Sequence, residues 1–300
     1  MKNTAKYMSI AALTAALAAC GGGDSNDGSS AETGTLSMGL TDAPVDSVKE
    51  VNITITGIEA KPAGGDRIRF DFEKPISLNL LDLQNGAVAQ LLADEEVPAG
   101  EYNWARLQLG DQSTFTVIAD DGGTYTLRVP SGDQTGLKTS KFNVPAGGAA
   151  AFTIDFDVRK SLVKPNGGPT DYMLKPVLRL VENDNVGTIQ GAVDSTVVAS
   201  ECSDATNYAG AVYIFEGAAA VPDDLGSANE PMMVAPVDTH TGNYDYTAAF
   251  VTAGEYTVSY TCDMDSVEDA DENPVDEDLS FYGTQSATVE AGEITVSNFN

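Results

Sequence analysis

The chain has 300 residues, 42% of them hydrophobic, which is enough to bury a core in about two domains of ordinary size and excludes wholesale disorder. Its 45 acidic residues against 16 Lys and Arg give a formal charge of -29, a balance that excludes nucleic acid as a partner and electrostatic attraction to anionic lipid heads. After Arg179 there is no Lys or Arg at all, so the C-terminal part is the more acidic, a surface suited to a salty or divalent-cation-rich exterior.

The N-terminus reads as a targeting segment. Lys2 and Lys6 form a basic end, Met8 to Leu17 a short apolar region, and Leu17-Ala18-Ala19-Cys20 resembles a bacterial lipobox. The apolar run is too short to span a bilayer. This predicts a lipoprotein signal peptide over residues 1–19 and a lipid-carrying Cys20 as the first mature residue, against the rival of an ordinary secretory signal with Cys20 there by chance. Removing Lys2 and Lys6 leaves 16 minus 2, or 14, basic residues against 45 acidic ones, a balance of -31. Residues 20–34 are rich in Gly, Ser and Asp and read as a flexible tether. By resemblance to lipoproteins of Gram-negative cells, Gly21 directly after Cys20 favours the outer membrane. The membrane is thus an expected partner, through the lipid.

The first folded block is expected over residues 35–182. Leu36, Met38 and Leu40 alternate with small or polar residues until Asp42-Ala43-Pro44 signals a turn. Val51, Ile53 and Ile55 face one way, with Gly57 as a bulge before Ile58. Ile68, Phe70 and Phe72 repeat the strand pattern, as do Ile76, Leu78 and Leu80. Between Leu81 and Glu96 the spacing of Leu83, Val88, Leu91 and Leu92 suits a short helix or loop. Strand signals return at Tyr102 to Leu109, Phe115 to Ile118 and Tyr125 to Val129. From Ala151 to Arg159, Phe152, Ile154, Phe156 and Val158 line one face, and Thr153, Asp155, Asp157 and Arg159 the other; Tyr172 to Val181 supplies a closing strand. Many short strands, regular turns and almost no helical periodicity predict an all-β fold, a sandwich or partly closed barrel.

Three groups of residues carry a resemblance. Leu40-Thr41-Asp42-Ala43-Pro44, then Val129-Pro130-Ser131-Gly132 with Gln134-Thr135-Gly136-Leu137, then Asp155-Phe156-Asp157-Val158-Arg159-Lys160-Ser161 followed by Leu174-Lys175-Pro176-Val177-Leu178-Arg179, resemble the bacterial lipoprotein family known as domain of unknown function 4382. The resemblance covers about residues 35–182 and implies a lipid-tethered, exported domain with no established chemistry.

The polar Glu182-Asn183-Asp184-Asn185 marks a boundary, and a second block is expected over residues 187–300. Strands are expected at Gly187 to Val193 and Ala211 to Phe215. Thr241-Gly242-Asn243-Tyr244-Asp245-Tyr246 and Ala253-Gly254-Glu255-Tyr256-Thr257-Val258-Ser259-Tyr260 resemble transthyretin-like modules found beside carboxypeptidases, small β-sandwiches without catalysis of their own. The whole chain is therefore expected to hold two antiparallel β-sandwich domains after the signal peptide and tether. Export makes a Cys202–Cys262 disulfide the simple expectation, with two reduced thiols as its rival.

The acidic run after Cys262 offers calcium ligands in Asp263, Asp265, Glu268, Asp269 and Asp271, without the glycine turn or flanking helices of an EF-hand; a solvated acidic loop is the rival. Asp42, Asp155 and Asp157 are a second acidic group, explicable as the outer face of strands. The one histidine, His240, lies in a turn and makes a poor catalytic base. Trp104 beside Tyr102 invites carbohydrate stacking, although aromatics at strand spacing more often pack in a core. No phosphate loop or zinc ligand cluster is present in the sequence. These readings favour a non-enzymatic envelope lipoprotein that binds an envelope protein or glycan or serves assembly. The alternatives are a calcium-dependent adhesion or glycan-binding module and a two-carboxylate hydrolase.

Overall fold

The computed structural model describes residues 32–43, 48–120, 122–130, 137–164, 172–206, 208–240, 242–265 and 276–300. The expected signal peptide, Cys20 and most of the expected tether lie outside the described residues. Alternation builds β1 (Thr33–Ala43) and β2 (Val48–Pro62), which bury Leu36, Met38 and Leu40 on one and Val51, Ile53 and Ile55 on the other. Gly57 takes the expected bulge. The register slips between Ile55 and Gly57 against both flanking strands, and a Cβ at Gly57 would lie 2.4 Å from the Phe70 carbonyl oxygen.

β3 (Ile68–Asn79) merges the two strands expected around Phe70 and Leu78, and a 3-10 turn follows at Leu80–Leu83. The next stretch corrects the expectation of a helix or loop, because Ala89–Pro98 is a strand, β4. It is the edge of its sheet and among the described residues pairs only with β1; register shifts interrupt that pairing, and adjacent Leu91 and Leu92 are both buried. A bulged edge strand loses the two-residue alternation that would have betrayed it. Its exposed Asp94, Glu95 and Glu96 discourage pairing with another chain.

β5 (Gly100–Leu109), β6 (Thr116–Ala119) and β7 (Thr124–Arg128) lie where expected, followed by short β8 (Leu137–Lys138) and β9 (Phe142–Val144). β10 (Ala149–Asp157) stops two residues before the expected Arg159. Asp157 Oδ1 accepts the Lys160 N–H at 3.0 Å and caps the one-turn helix α1 (Val158–Ser161). After β11 (Leu162–Val163), the single closing strand expected at Tyr172 to Val181 proves to be two, β12 (Tyr172–Leu174) and β13 (Leu178–Glu182), in different sheets. Pro176 between them has no N–H to give a ladder.

A four-stranded sheet, β13-β10-β1-β4, packs on a nine-stranded one built around β6-β2-β5. Leu36, Leu40, Ile53, Ile55, Leu107, Phe152, Ile154 and Phe156 fill the space between. Each such side chain contributes about 1.5–3 kcal/mol by leaving water.

The second block contains β14 (Val186–Ala192), helix α2 (Ser195–Glu201), β15 (Ala211–Glu216), β16 (Met233–Pro236), β17 (Asp245–Thr252), β18 (Gly254–Thr261), β19 (Tyr282–Val289) and β20 (Ile294–Val296). The sheet β17-β14-β20 faces the sheet β16-β15-β18-β19 across Ile189, Val212, Tyr246, Val258 and Phe299. β20 runs so close to β14 that a Cβ on Gly191 would sit 1.9 Å from the Ser297 carbonyl oxygen. β15 is buried on both faces: Ala211, Tyr213 and Phe215 point away from the central core and are covered by Leu225, Val234, Leu279 and Phe281. Two segments, the connection from β15 to β16 and the stretch before β19, thus form a lid on the outer face of this sheet.

The protein is all-β, two sandwiches with mostly antiparallel sheets and parallel pairings of β1 with β10, β7 with β12 and β14 with β20. Residues 32–300 make one compact unit with separate hydrophobic cores. No helix among the described residues is long and apolar enough to cross a membrane.

Candidate functional site

Two of the three residue groups that carry the family resemblance meet where the two sandwiches touch. β1 and β10 run parallel with Thr41 opposite Asp155, and β13 adds Arg179 opposite Asp155 from the other side. Asp155, expected on the outer face of its strand, is 6% exposed, and Thr41 is 3% exposed. The Thr41 hydroxyl lies 2.9 Å from the carbonyl oxygens of both Leu83 and Ala87. Arg179 donates to Asp155 Oδ2 through Nη2 at 2.8 Å and Nε at 3.1 Å, a charge-assisted pair that satisfies a buried carboxylate.

Asp42 has no such partner. It is 5% exposed, and neither carboxyl oxygen makes a hydrogen bond of good geometry among the described residues, although the Val158 N–H and the Gln84 amide lie near. Burial pushes its pKa well above the ordinary carboxylate range, with the neighbouring charges of Asp155 and Asp157 adding to the shift. Asp157 moves the same way, again mainly by burial, against the opposing pull of the Lys160 N–H and ammonium.

The second block supplies the other wall. Lys160 Nζ pairs with Glu230 Oε2 at 3.1 Å, and Arg159 Nη1 donates to the Tyr213 hydroxyl at 3.3 Å. Ser161 bonds the Asp157 carbonyl oxygen through its hydroxyl and accepts the Val177 N–H at 2.9 Å. The cavity beside Asp42 and Asp155, closed by Met233 and Phe250, holds about 20 Å³, room for a water and not for a substrate. A much larger concavity of about 800 Å³ opens on the first block between β2, β3 and the turn at Asp111, lined by Asn52, Thr54, Ser77, Asn79 and Asp82.

A second carboxylate group lies in the lid over β15. Asp223, Asp224 and Asp276 each bring an oxygen within 4.8 Å of the others. Asp224 has no exposed surface; its Oδ2 accepts the Glu277 N–H and its Oδ1 has no partner among the described residues. Neither Asp223 nor Asp224 stands out in the sequence. Their signal was the adjacent pair in Pro222-Asp223-Asp224-Leu225-Gly226, a short loop with little else to bury.

Of the expected calcium ligands, Asp263 and Asp265 are described. Asp263 Oδ2 accepts the Ser280 N–H at 2.7 Å. Asp265 Oδ2 accepts the Tyr213 hydroxyl at 2.7 Å and the Leu225 N–H at 3.0 Å. Glu268, Asp269 and Asp271 lie outside the described residues. Cys202 and Cys262 are joined in a disulfide with Cα atoms 5.3 Å apart, and Cys202 is the C-terminal cap of α2. His240 is exposed and contacts only Asp238 among the described residues, Nδ1 to Oδ1 at 3.2 Å. Tyr102 is core, stacked on Phe142 at 4.8 Å, while the Trp104 ring carries the Lys138 ammonium 4.7 Å from its centroid.

Residues 33–176 match the family described as Domain of unknown function (DUF4382), which bears out the resemblance for the first block. No curated protein matches the chain. Among solved structures, the Bacillus anthracis TIE protein aligns with a TM-score of 0.22 and 10% identity, over 90% of this chain and 34% of that one. The minor pilin GBS52 of Streptococcus agalactiae gives 0.22 and 7%, over 88% and 94% of the two chains. A fimbrial protein from Bacteroides ovatus gives 0.22 and 11%, over 90% and 49%. This chain spans about a third of the first of these, and superpositions this loose carry no argument about function.

Proposed function

We propose that this is a non-enzymatic lipoprotein of the bacterial cell envelope, anchored by lipid on Cys20, most simply at the outer membrane. In this reading residues 35–182 are one domain and residues 187–300 a transthyretin-like second one, and together they present a surface for an envelope protein or a glycan. One observation carries the reading. Five charged residues of the family resemblance, Asp155, Asp157, Arg159, Lys160 and Arg179, are committed to a cap, two ion pairs and a hydrogen bond beside a seam with room for about one water. Lys160 and Arg159 bond across the seam to Glu230 and Tyr213, and side chains so engaged support a structural role for this site. The polar groove along β2 and β3 is the surface that remains for contact, since Asn52, Thr54 and Ser77 offer donors and acceptors of the kind a hydroxylated ligand or a polar backbone needs.

The test is affinity capture from native envelopes with the full-length lipidated protein as bait. The expected result is an envelope protein or glycan retained by the parent and lost from Thr54→Arg, which fills the groove. A hydrolase activity of the purified protein that vanishes when one carboxylate is replaced would overturn the reading. Mass spectrometry of the native chain tests the anchor: acyl chains on Cys20 are expected, and an intact leader or a bare thiol at the new terminus contradicts it.

A further inference from the structure

We infer that Asp223, Asp224 and Asp276 form a calcium site that clamps the two segments of the lid over β15. Two oxygens bound to one calcium ion at about 2.3–2.6 Å can be no more than about 5 Å apart. The three carboxylates satisfy that limit, each bringing an oxygen within 4.8 Å of the others. Proximity alone would not suffice, because acidic groups crowd many surfaces. The second observation is Asp224 itself: it has no exposed surface, and Oδ1 has no donor among the described residues while Oδ2 is tied to the Glu277 N–H. A buried carboxylate oxygen is ordinarily paired, and leaving it unpaired is costly. Among the described residues no Lys or Arg side chain pairs with it, and Arg159, which lies nearby, donates to the Tyr213 hydroxyl. The sequence has no Lys or Arg after Arg179, and Lys160, which reaches this corner, is engaged with Glu230.

The donor set selects the ion. Three carboxylates with no His or Cys form an all-oxygen site, which suits a hard cation and not zinc or copper. Magnesium sheds its water reluctantly and seldom enters a site whose central ligand is buried, whereas calcium accepts irregular geometry and can complete its shell with water on the exposed Asp276 side. The position gives the ion a job. Asp223 and Asp224 precede Leu225, which covers Tyr213 and Phe215; Asp276 precedes Leu279 and Phe281, which cover them from the other segment. Bound calcium joins the segments, and without it three like charges push them apart. Asp263 and Asp265, which bond the Ser280 and Leu225 N–H groups, are outside the cluster. The site does not depend on the protein being an envelope module, since it would clamp the lid equally in an enzyme.

The experiment uses the full-length chain stripped with EDTA, with equilibrium dialysis against radioactive calcium and thermal melting in about 1 mM calcium or magnesium at equal ionic strength, a concentration typical of extracellular calcium modules. Saturable calcium binding and a higher melting midpoint in calcium than in magnesium are expected. Asp224→Asn and Asp276→Asn should each weaken calcium binding roughly tenfold or more, while Asp263→Asn, whose amide oxygen can still accept the Ser280 N–H, leaves it unchanged. An equal shift with magnesium, no shift at all, or parental binding in Asp276→Asn overturns the assignment. Asp276 is exposed, so that variant decides the matter even if Asp224→Asn fails to fold.

Discussion

Arg159 of the first block donates to the hydroxyl of Tyr213 in the second at 3.3 Å, and that hydroxyl donates onward to Asp265 at 2.7 Å. The phenol is buried, and its pKa is pushed up, chiefly by that burial, so it stays a donor throughout the physiological range. Tyr213→Phe keeps the ring against Phe281 and removes only the bridge. A hydrogen bond to a charged group contributes about 1.5–3 kcal/mol, and the variant should lose that much in denaturant unfolding. A double-mutant cycle with Asp265→Asn should return a coupling of about 1 kcal/mol or more. Strict additivity would mean the bridge does nothing for stability.

Asp42 predicts a pH response of unusual sign. Its folded-state pKa is raised above the unfolded value of about 4, so the folded protein holds the proton more tightly. The stabilisation is complete below about pH 4 and is lost as pH rises through the raised folded value. Asn has the shape of the protonated acid and no charge to bury. Asp42→Asn should therefore be more stable than the parent at neutral pH, by about 1–3 kcal/mol, and flatten the decline above pH 4. Melting curves across that range decide it; a less stable variant with an unchanged pH profile contradicts the assignment.

Much of this architecture was legible in the sequence because alternation is a local signal. Met38 and Leu40, Ile53 and Ile55, and Phe152 and Ile154 are buried as their spacing required, and Gly57 bulges as expected. What was hidden depends on neighbours distant in the chain. Thr153 and Asp155 read as a solvated face because nothing nearby says that a second sandwich covers β1 and β10. β4 was hidden by its bulge, and the break at Pro176 did not announce that β12 and β13 belong to different sheets. The carboxylate cluster was illegible for the same reason. Asp224 and Asp276 are far apart in sequence and meet only because both of their segments fold over β15.

Glu59 predicts the opposite pH response. It is 2% exposed and is gripped by Arg106 and by Arg67 at 3.1 Å. Burial alone would raise its pKa, but the two guanidinium groups outweigh it and the net shift is downward. A lowered folded pKa gives stability that is present above about pH 4 and is lost as pH falls through the folded value. Glu59→Gln should therefore destabilise at neutral pH and hardly matter in strong acid. Removing the buried charge that both guanidinium groups share places the neutral-pH cost at about 3–5 kcal/mol, the range for breaking a buried pair from one side. Equal destabilisation at pH 7 and in acid would show that packing, not charge, is at work.

The disulfide provides the last test, and it concerns the corner that holds the lid. Cys202 and Cys262 are 60 residues apart in sequence, so the bond ties the end of α2 to the residue after β18. Closing a loop of that length restricts the unfolded chain by about 4 kcal/mol in the chain-entropy account. The folded neighbourhood should survive its loss, because Tyr260, beside Cys202, donates to the Ala209 carbonyl oxygen at 2.7 Å and β15 pairs along β18, so the chain just after Cys202 is held to β18 without the bond. Replacing both cysteines by serine should thus lower stability by a few kcal/mol while leaving the β-sheet circular dichroism intact. A double variant as stable as the parent would mean that these segments stay together in the unfolded chain without the bond, and collapse of the sheet signal would mean that the bond holds the folded corner itself.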